Sequence, residues 1–344
     1  MGLANRVGFM SKVLMDHVTG GSTPLQVSLN VNFRCNFKCG YCYGQYPFRT
    51  EKDFTKEDLF GLIDDLGKMG TRSITLGGGE PMIRNDIGEI IRRVKKNGIE
   101  CGMNTNGSLI PRRLKDLEAI DMVCVSFDGP KHMNDLNRGE GTYEEIRAGI
   151  DAALAAGMKT HISAVLTRHN CDAVDWIVNY SVEKGIHCEF NLLFEQSEDK
   201  NDSDKYMAAN DQMRKAVERI ADLKAQGAPI VFSENVYRYI ASWPDYGQRI
   251  IFDKEPDFPY IKCHAGRWMM FIDADGRVYP CVQLIDNFPA LDFREVGIKK
   301  AWENCAAKRT CTACYFPCWN EFSSIMSLNP QVVVGQVLST LKGQ

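Results

Sequence analysis

Apolar residues recur along this chain with two alternating periods. Residues 3 to 18 set Val7, Phe9, Met10, Val13, Leu14 and Val18 at helical spacing, and the pattern stops at Gly20-Gly21. This segment reads as a helix packed on the core, or as an amphipathic helix that seeks a surface. Short apolar runs then alternate with longer stretches of helical period. Strands are predicted over 26–31, 73–76, 100–105, 122–127, 159–166 and 187–193, and helices over 55–69, 86–97, 111–118, 142–156, 172–184 and 204–226. Local signals agree with these bounds. Thr55 with Asp58 three residues later is a helix cap, Pro111 suits a first turn, and Gly98, Gly157, Gly185 and Gly227 are stops.

Strand–helix units in unbroken succession require a parallel sheet with right-handed crossovers. Six units are too few for a closed eight-stranded barrel, so the expected α/β architecture is a partial (β/α)6 barrel. On such a sheet the chemistry sits at the carboxyl ends of the strands. The expected organisation is a helix over 1–24, the core over 25–228, a bridge over 229–262, a small cysteine-rich module over 263–320, and a helix with tail over 321–344. The bridge is placed where periodicity fails and Pro244, Pro256 and Pro259 fall. The polar run 197–204 reads as a solvated connection or a mobile lid.

Composition removes several function classes. With 44% hydrophobic and 25% charged residues, the 344-residue chain is of ordinary globular type. A net charge of -3 argues against a general nucleic-acid surface. No run approaches the ~18 apolar residues of a membrane span, and the first 24 residues lack a signal peptide's apolar core. The expected location is the cytoplasm. Thirteen cysteines is an odd and large number, better suited to metal-binding thiols than to disulfides. Cys101, Cys124, Cys171 and Cys188 are scattered through periodic segments and read as small buried hydrophobes.

The loop after the first strand carries the first candidate chemistry. Cys35, Cys39 and Cys42 stand at CxxxCxxC spacing. An iron–sulfur cube normally takes four thiolates, and three leave one iron open. Zinc prefers paired CxxC or HxxxH groups, and no second pair lies nearby.

At these residues the sequence resembles the radical S-adenosylmethionine (SAM) superfamily, with Tyr41 as the aromatic before the last cysteine. The resemblance implies a [4Fe-4S] cluster on Cys35, Cys39 and Cys42, completed by the methionine moiety of SAM. Gly77-Gly78-Gly79-Glu80-Pro81 looks like the family's GGEP motif, which implies that Gly78, Gly79, Glu80 and Pro81 line that moiety, with Glu80 near its amino group. Residues 104–107, Asn104-Thr105-Asn106-Gly107, are similar to its TNG turn, and Ser126-Phe127-Asp128-Gly129-Pro130 to its SxDG motif. By resemblance Asn104, Ser126 and Asp128 join the cofactor site. Arg138 resembles an arginine that meets the SAM carboxylate, and otherwise reads as a surface arginine. Ser163 and Asn191 are permitted by strand alternation to face the interior.

A second cysteine group follows. Cys263 opens a segment that reaches Cys281 through an Asp275-Gly276 hairpin turn, and Cys311, Cys314 and Cys318 form a CxxCxxxC run. This region resembles the SPASM and twitch extensions of radical SAM enzymes, which hold auxiliary [4Fe-4S] clusters. The run is shorter than a full SPASM domain's, and no cysteine follows Cys318. One auxiliary cluster is therefore expected, on four of Cys263, Cys281, Cys311, Cys314 and Cys318. The first four fit twitch spacing best, and Cys318 is a possible replacement. Structural zinc on Cys311 and Cys314 is the competing reading, and Cys305 reads as structural.

The resemblance implies an enzyme that reductively cleaves SAM to a 5′-deoxyadenosyl radical and takes a hydrogen atom from a substrate. A reducing partner such as flavodoxin or ferredoxin is implied. A small molecule is the expected substrate, with a peptide as the alternative and a non-enzymatic Fe–S electron carrier as a third class. The Gly77–Pro81 loop speaks against a carrier, which needs no SAM pocket. No acid or base residue stands out.

Overall fold

The computed structural model describes residues 3–44, 46, 49, 52–193, 205–285, 287–308 and 310–327, with side chains from Val7 onward. The run 197–204 and the chain beyond 327 lie outside the described residues. Helix α1 (Leu3–Thr19) precedes a core of β1 (Gln26–Asn30), α2 (Lys56–Met69), β2 (Ser73–Gly77), α3 (Ile87–Lys96), β3 (Glu100–Thr105), α4 (Ile110–Arg113), β4 (Met122–Ser126), α5 (Lys131–Arg138), α6 (Thr142–Ala155), β5 (Thr160–Leu166), α7 (Val174–Lys184), β6 (His187–Leu192) and α8 (Asn210–Ala225). The Thr55 hydroxyl accepts from Asp58 N at 3.1 Å while Asp58 accepts from Thr55 N at 3.0 Å, a complete capping box on α2.

Strands β1 to β6 pair in sequence order, all parallel. Alternation gives this sheet two unlike faces. Val27, Leu29, Ile74, Leu76, Met103, Val125, Ile162 and Phe190 are fully buried in the main core, with Leu59, Ile63, Ile90 and Ile150 of the flanking helices. The opposite face carries Ser28, Thr75, Ser126, Ser163, Glu189 and Asn191, none fully buried. Partly exposed polar side chains thus mark this face, where the other is packed solid.

The rest of the chain departs from the sequence-based reading in several places. Residues 111–118 form α4 and a tight 3₁₀ turn at Leu114–Leu117. Helix α5 was not expected, because no side chain caps its start at Pro130. The long helix begins at Asn210. The bridge is not irregular: it holds α9 (Glu234–Ala241), capped by Ser233, and β7 (Ile250–Phe252). Then come β8 (Met269–Ile272), β9 (Arg277–Tyr279), β10 (Leu291–Asp292), α10 (Phe293–Val296), α11 (Ile298–Lys308), β11 (Cys311–Cys314) and α12 (Pro317–Met326).

The expected hairpin forms, β8 against β9, but it does not stand apart. Strand β8 pairs parallel with β1, so one sheet of nine strands runs β10-β9-β8-β1-β2-β3-β4-β5-β6. A second core fills the inner side at this end: Phe9 and Val13 of α1, Met269 and Phe271 of β8, Cys263, Cys281 and Trp319. Helix α1 is thus a packed helix, although Val7, Leu14, Met15 and Val18 face outward. Among the described residues no helix is long and apolar enough to cross a membrane.

Candidate active site

The three-cysteine loop leaves the carboxyl end of β1 and is held from three sides. Phe33 N donates to Asp53 at 2.8 Å, Gly40 N donates to the Asn137 carbonyl at 3.1 Å, and Tyr41 donates to Asp128 Oδ2 at 2.7 Å. Within the loop, Cys42 N donates to the Cys39 carbonyl and Phe37 N to the Cys35 sulfur at 3.4 Å. The thiols of Cys35, Cys39 and Cys42 act on one another electrostatically, none forms a disulfide, and all three are half-buried. Burial pushes the Cys35 thiol up to about 11 and the Cys39 thiol up to about 12, the latter opposed by Arg138. Thiolate ligation to a metal group displaces the thiol protons against that burial. A half-buried triad with no fourth cysteine on the loop fits a cube with one iron open.

The GGEP-like loop packs on this one, backbone to backbone. Gly79 N donates to the Asn32 carbonyl at 3.1 Å and Glu80 N to the Arg34 carbonyl at 2.8 Å. A Cβ at Gly79 would lie 2.2 Å from the Arg34 carbonyl oxygen, and one at Gly78, whose φ is +125°, 2.4 Å from that of Asn32. Both glycines are therefore required by the contact between the loops, whatever else they line. Pro81 begins a buried 3₁₀ turn. One buried acceptor beside this loop, Oδ1 of Asn32, has no donor among the described residues, which suits an ammonium-bearing ligand such as SAM.

Glu80 is fully buried and looks inward, to the protein. It accepts from Thr105 Oγ1 at 2.9 Å, Asn106 N at 2.8 Å and Met82 N at 3.1 Å. Burial outweighs these donors and pushes its carboxyl up to about 7. The clamp places Asn106, whose amide donates to Asn36 at 2.9 Å and reaches the Cys35 sulfur at 4.0 Å. Asn106, rather than the exposed Asn104, is the residue of that turn that meets the cysteine loop.

Asp128 and Arg138 meet each other. Arg138 Nη2 donates to Asp128 Oδ1 at 3.0 Å, and its Nε lies 3.0 Å from Oδ2, both side chains buried. Val165 N also donates to Asp128, and the guanidinium stands over the Tyr41 ring at 5.6 Å. Burial disfavours the Arg138 charge, but the Asp128 carboxylate outweighs it and raises the pKa. Arg138 is thus no surface arginine. Ser126 lies on the inner face opposite Ser163 of β5, one strand from Glu189 of β6.

The second group is assembled from distant segments. The Cys281 thiol feels Cys314, Cys263 and Cys311, in that order, after a burial that raises its pKa well above the usual thiol range. Ala265 N donates to the Cys263 sulfur and Gln283 N to the Cys281 sulfur, each at 3.4 Å. Cys311 and Cys314 lie on β11, which pairs antiparallel with β7 across a bulge. Cys318 stands elsewhere: the charges acting on its thiol are those of Glu189 and Glu321, and it acts in turn on Cys124. Cys305 is buried against the Val278 carbonyl. Among the described residues no three His, Cys, Asp or Glu side chains converge on a single-ion position. A cube does not ask for that, since each thiolate binds a different iron.

A bridge of buried polar groups connects the two regions. Asn30, at the end of β1, donates to Asp273 at 2.9 Å and to the Tyr46 hydroxyl at 2.9 Å, and Tyr46 donates to Tyr43 beside Cys42 at 3.0 Å.

Residues 29–179 match the model of the radical SAM superfamily. A probable GTP 3′,8-cyclase of Methanosarcina acetivorans is 28% identical over 258 residues, 73% of either chain. The mycofactocin maturase MftC of Mycolicibacterium smegmatis is 25% identical over 83% of this chain and 71% of its own. Other curated relatives are matched over only 34% to 50% of their length. Streptococcus suis SuiB bound to S-adenosylmethionine superposes with a TM-score of 0.66 at 19% identity, covering 84% of this chain and 68% of that one. SuiB bound to its precursor peptide SuiA gives 0.64 at 19%, over 85% and 68%. At such identity the likeness to SuiB is one of fold.

Proposed function

We propose, for a chain whose residues 29–179 form a radical SAM domain, that it is an enzyme with two iron–sulfur sites that modifies a peptide. The observation that carries the peptide reading is the extent of likeness. The maturase match and the SuiB superposition each cover more of the chain than the core alone contains.

In this reading Cys35, Cys39 and Cys42 hold the [4Fe-4S] cluster that, with SAM, the family employs, and Cys263, Cys281, Cys311 and Cys314 hold a second. Bound there, these groups supply reductive cleavage of SAM and hydrogen-atom abstraction from substrate, with electrons from a partner such as flavodoxin or ferredoxin. The chain's own residues do the holding. The Asp128–Arg138 pair fixes Tyr41 and with it the cysteine loop. Glu80 fixes Asn106 against Cys35 and Asn36. Gly78, Gly79 and Pro81 bring the second loop into backbone contact with the first. The inner face of β1 to β6 forms a chamber from which bulk water must be kept once it is filled.

A second reading, a small-molecule substrate, is favoured by the match to GTP 3′,8-cyclase. One assay separates them. Anaerobically reconstituted, dithionite-reduced protein should convert SAM slowly to 5′-deoxyadenosine and methionine. A precursor peptide encoded beside its gene should accelerate that conversion and change mass. Acceleration by GTP with no peptide effect would favour the second reading. Methylthioadenosine or S-adenosylhomocysteine as sole products would overturn both.

A further inference from the structure

The inner face of β5 and β6 carries a group of polar side chains that neither cysteine site uses. Glu189 of β6 lies opposite Ser163 of β5 in register, and Asn191 lies opposite Val165. The Asn191 amide donates to Glu189 Oε1 at 3.2 Å and to Ser163 Oγ at 3.1 Å. Ser163 and Cys124 of β4 also lie beside the Glu189 carboxyl and favour its charge, and Cys318 of α12 stands in its field. Two features of this group are unusual.

The first is an orphan. Asn191 spends its N–H donors on its neighbours, but its Oδ1 is buried with no donor among the described residues. A buried acceptor without a partner costs roughly 1–3 kcal/mol, a cost that an incoming N–H removes. The second is a missing cation. The groups acting on Glu189 are its burial and three neutral hydrogen-bonding side chains, Ser163, Asn191 and Cys124. Among the described residues, Cys318, Cys188, Glu321 and Tyr237 are the other titratable groups within its field or beside it, and none is a cation. Lys224 acts on Glu321 and Cys188 instead, and its ammonium donates to the Ile230 carbonyl. A carboxyl on the inner face of the sheet, beside an unfilled acceptor and with no cation acting on it among the described residues, is built for a positively charged donor.

We propose that Glu189 and Asn191, flanked by Ser163, Cys124 and Cys318, form a substrate subsite that takes a protonated amine. On the peptide reading this is an α-ammonium or a lysine side chain, and the inference rests on that reading only for placing substrate in the chamber. Cys318 is then a free thiol at the subsite's edge and not a ligand of the second cluster.

Cys318 makes the subsite measurable without knowing the substrate. Anaerobic holoprotein is treated separately with 2-aminoethyl and 2-sulfonatoethyl methanethiosulfonate, one cationic and one anionic. Modification of Cys318 is followed by peptide mass spectrometry and each rate is divided by that of free cysteine. The cationic reagent should be favoured about tenfold or more, as charge focusing in a cleft provides. Glu189→Gln should bring the ratio close to one. Asn191→Asp, which adds a carboxylate at the same place, should raise it, and it decides the matter if Glu189→Gln loses iron or folded signal. A ratio near one in the wild type, or one indifferent to both substitutions, overturns the proposal. So does a Cys318 that neither reagent reaches, or that becomes reactive only after iron is chelated, which would make it a ligand. The labelling needs no SAM chemistry. Charge selectivity without SAM cleavage would remove the enzyme reading and keep the subsite, and cleavage without selectivity would do the reverse.

Discussion

Cys35, Cys39 and Cys42 lie on one loop and need only that loop to be near one another. Cys263, Cys281, Cys311 and Cys314 come from a turn before β8, the end of the β8–β9 hairpin and a strand paired to β7. The first triad is half-buried at the ends of parallel strands, while Cys263 and Cys281 are buried in a core of their own. The difference separates two ways of making a thiolate site. A loop-borne site is shaped by its neighbours and stays open to a ligand. A site gathered from distant segments is made by the fold, and what it binds will in return hold the fold together.

The largest expected effect tests that division directly. Replacing Cys35, Cys39 and Cys42 together by alanine should abolish SAM cleavage while leaving about four of about eight irons, one cube of two. Loss of all iron, by metal analysis of the folded variant, would mean that the sites are not independent. The converse variant is Cys281→Ala. It should also lose about half the iron, yet cleave SAM in the absence of substrate, and its C-terminal segment should become protease-sensitive. Circular dichroism and SAM binding come first, because the lost thiolate can cost the module its fold. A folded variant that binds SAM without cleaving it would break the comparison from the other side.

Two smaller effects sharpen what holds the loop. Arg138→Met leaves Asp128 buried and uncompensated and should cost about 3–5 kcal/mol in anaerobic urea unfolding. Asp128→Asn in the same protein should restore part of that, and a single-variant loss under about 1 kcal/mol would show that Tyr41 and Val165 hold Asp128 unaided. Glu80 gives the last effect. Its carboxyl goes from an ordinary 4.5 to about 7 on folding, through burial, so between those values the native state binds the extra proton. Its stabilising contribution is full below about pH 4.5 and is lost as pH rises through about 7, a fall of about 3 kcal/mol. Glu80→Gln should flatten that part of the profile, and an unchanged slope would assign it to other groups.

Where order is local, the sequence was readable. The Thr55 cap with Asp58 and the Glu100–Thr105 strand needed only neighbours a few residues away. The four scattered cysteines did read as buried. Helix α5 escaped because it starts without a side-chain cap, and α9 because it lies in the stretch 229–262, whose broken periodicity and prolines read as a bridge. Attachment of β8 to β1 left no mark, since pairing across the length of a chain has no local period. Glu189 was hidden differently. The alternation His187, Glu189, Asn191 against Cys188, Phe190, Leu192 does show a polar face, but nothing in it tells a solvent face from a chamber wall. The setting of Cys318 beside Glu189 was equally illegible, because CxxCxxxC spacing looks the same whether its last thiol turns toward Cys281 or away.

The pairing of β1 with β8 also bears on how this protein is made. Gln26 leaves a ribosome well before its partner Met269. At about 5–20 residues per second, the wait is on the order of ten to fifty seconds. During it, the β2 to β6 side of the sheet can assemble while the other edge of β1 shows unpaired backbone to the cell. A nascent chain in that state is a template for pairing with another copy of itself. Its yield in a host should therefore respond more to chaperone supply and slowed synthesis than its final stability would suggest.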